Sequence, residues 1–158
     1  MRTRTLVAVL VAVVALAATT TTAQGKDPWV GTWKLNLAKS TYSPGPAPKS
    51  TTVVITAPNG GISQTVDTVP ATGAASHWVA TGKFDSKDNA VKGNPNGDTI
   101  SFRKINDRSY ETITKKGGKT MQTSVVEVSA DGKTRTNTQT GVTADGKPMK
   151  NKAVYDRQ

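Results

Sequence analysis

From Trp29 onward the chain alternates between two kinds of position. Trp29, Gly31, Trp33, Leu35 and Leu37 interleave with Val30, Thr32, Lys34 and Asn36, the period of two that a strand produces by pointing successive side chains to opposite faces. Residues 50–56, 62–69, 76–84, 98–105, 108–116, 119–128, 133–142 and 149–157 repeat the pattern, and 89–93 supplies one more short run. Threonine and valine dominate these runs, as β-branched residues do in strands. No segment after the first two dozen residues carries an apolar helical stripe.

Turn chemistry separates the runs: Pro-Asn-Gly-Gly, Asn-Pro-Asn-Gly-Asp, Lys-Lys-Gly-Gly-Lys, and Ala-Asp-Gly-Lys twice. Loops this short join antiparallel neighbours. The expectation is therefore a single all-β domain, an up-and-down meander of about 8–10 strands, closed into a barrel because closure removes two exposed edges. The two Ala-Asp-Gly-Lys stretches read as one hairpin solution used twice. Residues 40–50 hold three prolines, which no helix tolerates at that spacing, so this segment is expected to be an extended loop.

The first residues obey other rules. Arg2 and Arg4 precede an apolar run from Leu6 to Ala18, and Thr21 and Ala23 fit a cleavage site; a cut after Ala17 also fits. The run is short for a membrane span. A signal peptide over 1–23 and a barrel domain over 24–158 follow as expectations, with export to the periplasm or beyond. No cysteine occurs anywhere, so the sheet has to hold without disulfides.

The formal charge of +10 falls to about +8 without the two leader arginines, and favours anionic partners at long range. The lysines are scattered through turns and strand ends, with no stripe interleaved with aromatics, so nucleic acid is not the expected partner.

The stretch Trp-Val-Gly-Thr-Trp-Lys-Leu, residues 29–35, resembles the first strand of the calycins, the lipocalins and intracellular fatty-acid-binding proteins. The resemblance implies a barrel whose tryptophan closes one end and whose glycine lets the strand bend. Trp29, Gly31 and Trp33 are accordingly assigned as a structural plug. A strand in a small barrel must coil sharply, which a residue without Cβ accommodates. The chain as a whole also resembles a group of small exported bacterial proteins of unassigned activity. It departs from the fatty-acid binders twice: the Pro-rich segment 40–50 leaves no helical lid, and Ala153 stands where their Arg-x-Tyr pair has its arginine, if Tyr155 is the tyrosine.

A replacement arginine comes from register. Three-residue loops at both Asp-Gly turns oppose Glu127 to Arg135 and Arg135 to Tyr155. Met121, Val125, Arg135, Asn137, Gln139, Ala153 and Tyr155 then share the inner face. Two-residue Asp-Gly turns would oppose Arg135 to Asp156 instead and exchange the faces. In the first register Arg135 either forms a structural pair with Glu127 or, with Tyr155, binds the acidic or carbonyl head of a ligand. The apolar walls of such a cavity would come from Trp78, Phe84, Ile100 and Phe102, with Gln139 also facing it.

Catalytic groupings are sparse. His77 is the sole histidine and reads as a surface residue; Glu111 has no carboxylate mate. No nucleophile elbow, phosphate loop or zinc spacing occurs. The expected function is a non-catalytic, monomeric binder of a small apolar or amphipathic molecule, with no cofactor. Its alternative is a filled barrel that engages anionic envelope polymers or a protein through its basic exterior.

Overall fold

The computed structural model describes residues 27–158 except Ala144; the expected leader lies outside them. Eleven strands form one antiparallel sheet: β1 (Gly31–Leu35), β2 (Thr41–Ser43), β3 (Ser50–Thr56), β4 (Ile62–Val69), β5 (Ser76–Gly82), β6 (Asn89–Ala90), β7 (Thr99–Asn106), β8 (Ser109–Lys116), β9 (Lys119–Val128), β10 (Thr134–Val142) and β11 (Pro148–Arg157). The spatial order is β5-β4-β3-β1-β11-β10-β9-β8-β7-β6. Chain neighbours therefore pair from β3 to β5 and from β6 to β11, while β1 joins β3 to β11 and β2 pairs with β11 beside it. The sheet is all but closed into a barrel: between β5 and the β6 side runs only an isolated bridge, Val79 to Lys92. Among the described residues no helix is long and apolar enough to cross a membrane, and no helical lid covers the barrel.

β1 and β2 share one edge of β11. β1 pairs with Tyr155–Arg157, and after a 3-10 turn at Leu37–Lys39 the chain resumes as β2 against Lys150–Lys152. The Pro-rich segment that follows holds no helix and bends at Pro44, Gly45 and Lys49 on its way to β3.

The inner face sorts into levels along the barrel axis. At one end Trp29, Trp33, Ile55, Ile62, Phe102 and Tyr110 are all sealed from solvent. Phe84 packs among them, 5.5 Å from Trp29 and 5.8 Å from Tyr110 between ring centroids, in the tilted arrangements aromatic quadrupoles favour. Burying side chains of this size supplies about 1.5–3 kcal/mol each, and this end carries most of the core.

Arg157 locks the same end. Its guanidinium lies 4.2 Å above the Trp33 ring and donates to the carbonyls of Gly132 at 2.6 Å, Val30 at 2.8 Å and Pro28. Trp33 Nε1 donates to the Trp29 carbonyl at 2.8 Å. Gly31 has φ +144°, and a Cβ there would fall 2.5 Å from Arg157 Nη1. The glycine is thus required by the arginine that crosses it as well as by strand coiling.

The two Asp-Gly hairpins differ by one residue, contrary to the expectation that they are alike. Thr143 N–H bonds to Lys147 C=O, a three-residue loop, whereas Ser129 N–H bonds to Thr134 C=O across four residues. Ser129 holds the longer loop, its Oγ bonding to Asp131 Oδ1 at 2.5 Å and accepting from Thr134 N–H at 3.0 Å. The β10–β11 register therefore follows the expectation, Arg135 opposite Tyr155. The β9 register does not: Arg135 opposes Val128, and Glu127 opposes Thr136. One extra loop residue exchanges the faces of β9. Ser124, Val126 and Val128 point inward, Glu127 and Val125 outward, and Met121 sits at the bulge where Thr114 pairs with Gln122 but Lys115 with Thr120.

Candidate functional site

The other half of the barrel is open. A cavity of about 460 Å³ descends from a rim of loop residues, among them Pro46, Pro48, Ala71 and Asn96, to a floor near mid-barrel. That size lies within the ~300–1,000 Å³ of ordinary small-molecule sites.

Gln64 and Arg135 make the floor, tied together from beneath by Tyr110. Tyr110 OH donates to Gln64 Oε1 at 3.2 Å and accepts from Arg135 Nη2 at 3.5 Å. Gln64 is on β4 and Tyr110 on β8, so the chain of contacts bridges opposite walls. Arg135 also lies 5.0 Å from the centre of the Tyr155 ring, a cation–π distance. The outward turn of Glu127 leaves Arg135 without its expected counter-charge. It is 1% exposed, and its Nε and Nη1 have no hydrogen-bond partner. Every other residue lining the cavity is uncharged.

That combination is costly. A buried cation is tolerated when paired or hydrogen-bonded, and a buried donor without a partner costs about 1–3 kcal/mol. Two residues along β10, Asn137 Oδ1 is likewise buried and unpartnered. The floor therefore presents idle donors beside an idle acceptor.

Above the floor the walls carry Thr112, Thr114, Ser124, Gln139 and Asn151, with Trp78, Ile100 and Met149 as larger surfaces. Asn151 Nδ2 donates to Gln139 Oε1 at 3.2 Å, and Asn151 Oδ1 accepts from Ser43 N–H at 3.1 Å. This pair ties β2 to the wall. Tyr42 and Tyr155 complete the lining. Burial raises the hydroxyl pKa of both; at Tyr155 the Arg135 guanidinium pulls the other way. Neither ionises at neutral pH, so neither neutralises the arginine.

Of the residues singled out from the sequence, Arg135, Tyr155, Trp78 and Gln139 line the cavity, as does Ile100. Phe84 and Phe102 do not. They belong to the aromatic packing of the sealed end, 6.5 Å apart: Phe84 lies beyond the end of β5, which stops at Gly82, and Phe102 packs against it from β7. Trp29 and Trp33 lie in the sealed end too. His77 is on the outside, its Nδ1 2.6 Å from Asp67 Oδ1, with both side chains more than half exposed.

Sequence reasoning missed Gln64 and Tyr110. Both sit at inward positions of their strands, but only closure brings β4 opposite β8. Asn137 was placed on the inner face; that its acceptor lacks a partner could not be read from the pattern.

Comparison with family models, with curated proteins and with solved structures gives no match.

Proposed function

We propose that the chain is a non-catalytic binding protein that holds a small amphipathic molecule in the barrel, with the molecule's acidic or carbonyl head turned toward Arg135. One observation carries this reading: among the described residues, the only charged side chain lining the 460 Å³ cavity is a buried guanidinium with two nitrogens unpartnered. An anionic head gives those donors acceptors and cancels the charge in a low-dielectric setting, where charge-assisted hydrogen bonds are strongest. Trp78, Ile100 and Met149 offer apolar contact further up. The reading places the protein with calycin-like binders and with export, both of which stay part of the proposal.

The non-catalytic part of the proposal draws on the cavity's chemistry. The hydroxyls near Arg135 belong to tyrosines and threonines with no general base among the cavity residues, and an activated nucleophile needs one. The cavity favours this reading over the alternative of a filled barrel acting through its basic exterior.

Native mass spectrometry on protein purified from cells that express the full sequence tests the proposal. The expected result is an added mass of a few hundred daltons, lost on denaturation and absent from Arg135→Met. A bare polypeptide mass, with no change in tryptophan emission across a panel of organic acids, overturns it.

A further inference from the structure

The cavity wall specifies more than an acid. Half of the lining side chains are serine, threonine, asparagine or glutamine. Thr51, Thr112, Thr114 and Ser124 are each about 95% buried, facing the cavity rather than solvent. Some of these groups already bond one another, Thr51 to Thr68, Gln122 to Ser124 and Asn151 to Gln139, but an alkyl chain over Asn137 Oδ1 would leave that buried acceptor unpaired, at a cost of about 1–3 kcal/mol, and would use none of the wall's remaining hydrogen-bonding capacity. A fatty acid therefore fits the arginine and not the wall.

The two idle groups on β10 make the same point independently. Arg135 Nε and Nη1 are donors that call for an anion; Asn137 Oδ1, two residues along, is an acceptor that calls for a hydroxyl or amine. A simple alkyl carboxylate satisfies the first and not the second. A carboxylate carrying hydroxyl groups on neighbouring carbons satisfies both. The flat rings of Trp78, Tyr42 and Tyr155 meet such a molecule on its C–H faces, which are apolar although its edge is polar.

We infer that the ligand is a polyhydroxylated carboxylate, a sugar acid, held with its carboxylate toward Arg135 and its hydroxyls along Asn137, Thr112, Thr114 and Ser124. The inference rests on the binding reading above and names its ligand class. The cavity is open at its rim, so either a free sugar acid or the end of an acidic polysaccharide chain can enter with the same chemistry.

Titration of tryptophan emission on the purified full-length product tests this, since among the three tryptophans only Trp78 lines the cavity. The probes are glucuronate, galacturonate, trigalacturonate, glucose and octanoate. The uronates should bind saturably, with glucose about a hundredfold weaker for want of the charge-assisted bonds, and octanoate weaker than either uronate. Trigalacturonate binding more tightly than the monomer marks a polysaccharide end; equal or weaker binding marks a free sugar acid, and both support the inference. Asn137→Leu removes a group with no hydrogen-bond partner in the fold and should weaken uronate about tenfold while leaving octanoate unchanged or tighter. Thr112→Val should act in the same direction. Octanoate binding more tightly than the uronates, or an Asn137→Leu variant with an unaltered preference, overturns the sugar-acid inference and leaves an acid-binding cavity standing. Failure of every acid to bind overturns both.

Discussion

Two arginines face the barrel interior, on adjacent strands, and the protein treats them in opposite ways. Arg157 at the sealed end stacks on Trp33 and donates to three backbone carbonyls. Arg135 near mid-barrel stacks on Tyr155, makes one 3.5 Å hydrogen bond to Tyr110, and has two nitrogens idle. The first is a fastener, its charge dispersed over carbonyl dipoles that would otherwise be short of donors. The second contributes little to the fold that a neutral side chain of similar length would not. On the proposed function Arg157 serves the fold and Arg135 the ligand. The surroundings agree: rings and aliphatic groups pack around Arg157, and hydroxyls, amides and open space adjoin Arg135.

Substitutions that hit the two ends separately should behave differently. The largest loss belongs to the sealed end. Trp33 is fully buried, and Trp33→Ala removes a core ring together with the platform under Arg157, so urea unfolding should show a loss of about 3–5 kcal/mol. A loss below about 1 kcal/mol would mean that this end is not the stable half. Gly31→Ala comes next. The new Cβ meets Arg157 Nη1 in a backbone conformation that suits glycine, and a loss of about 1–3 kcal/mol is expected in the same assay. Arg157→Met combined with Gly31→Ala should cost less than the two single losses added together, since the clash disappears with the guanidinium.

The smallest effect is on the outside. Asn36 Nδ2 at 2.6 Å and Lys39 Nζ at 3.1 Å bond to Asp156 and together hold its carboxyl below its ordinary value of 3.8. A carboxylate whose pKa is lower folded than unfolded stabilises the fold above that ordinary value, and the contribution is lost as pH falls through the folded pKa. Asn36→Ala should therefore lower stability slightly at pH 7, by an amount that shrinks as pH falls through the folded pKa, and move the acid-unfolding midpoint slightly upward. Circular dichroism against pH reads this; a midpoint that stays put would show that the hydrogen bond does not reach the folding equilibrium.

The contrast between the ends also marks what the sequence could say. Period-two alternation located ten of the eleven strands, because each buries one face, and short turns imposed antiparallel order. The three-residue strand β2 escaped notice, being too short for a pattern, beside prolines. The plug assignment for Trp29, Gly31 and Trp33 concerned residues that all lie in the sealed end, whereas the part Arg157 plays there depends on a pairing between chain ends. At the open end the second Asp-Gly turn gave the register of Arg135 with Tyr155, and the first misled by one residue. Both turns share Ala-Asp-Gly-Lys, yet Ser129 caps Thr134 N–H while Thr143 caps Lys147 N–H. That choice of partner is not written in the shared Ala-Asp-Gly-Lys, and it decides whether Glu127 faces the arginine. Phe84 and Phe102 were assigned by hydrophobicity to a ligand wall, but β5 stops at Gly82, short of Phe84, and alternation does not say at which level along the barrel an inward side chain such as Phe102 lies.

The central claim is that Arg135 is retained for a ligand and not for the fold. Urea unfolding of ligand-free wild type and Arg135→Met, measured side by side at pH 7, tests it most directly. The account predicts that the variant is at least as stable as the wild type, since a buried charge with idle donors is replaced by an apolar chain of similar length. A loss of about 3 kcal/mol or more, the cost of breaking a satisfied buried network, would contradict it and make Arg135 a structural residue like Arg157.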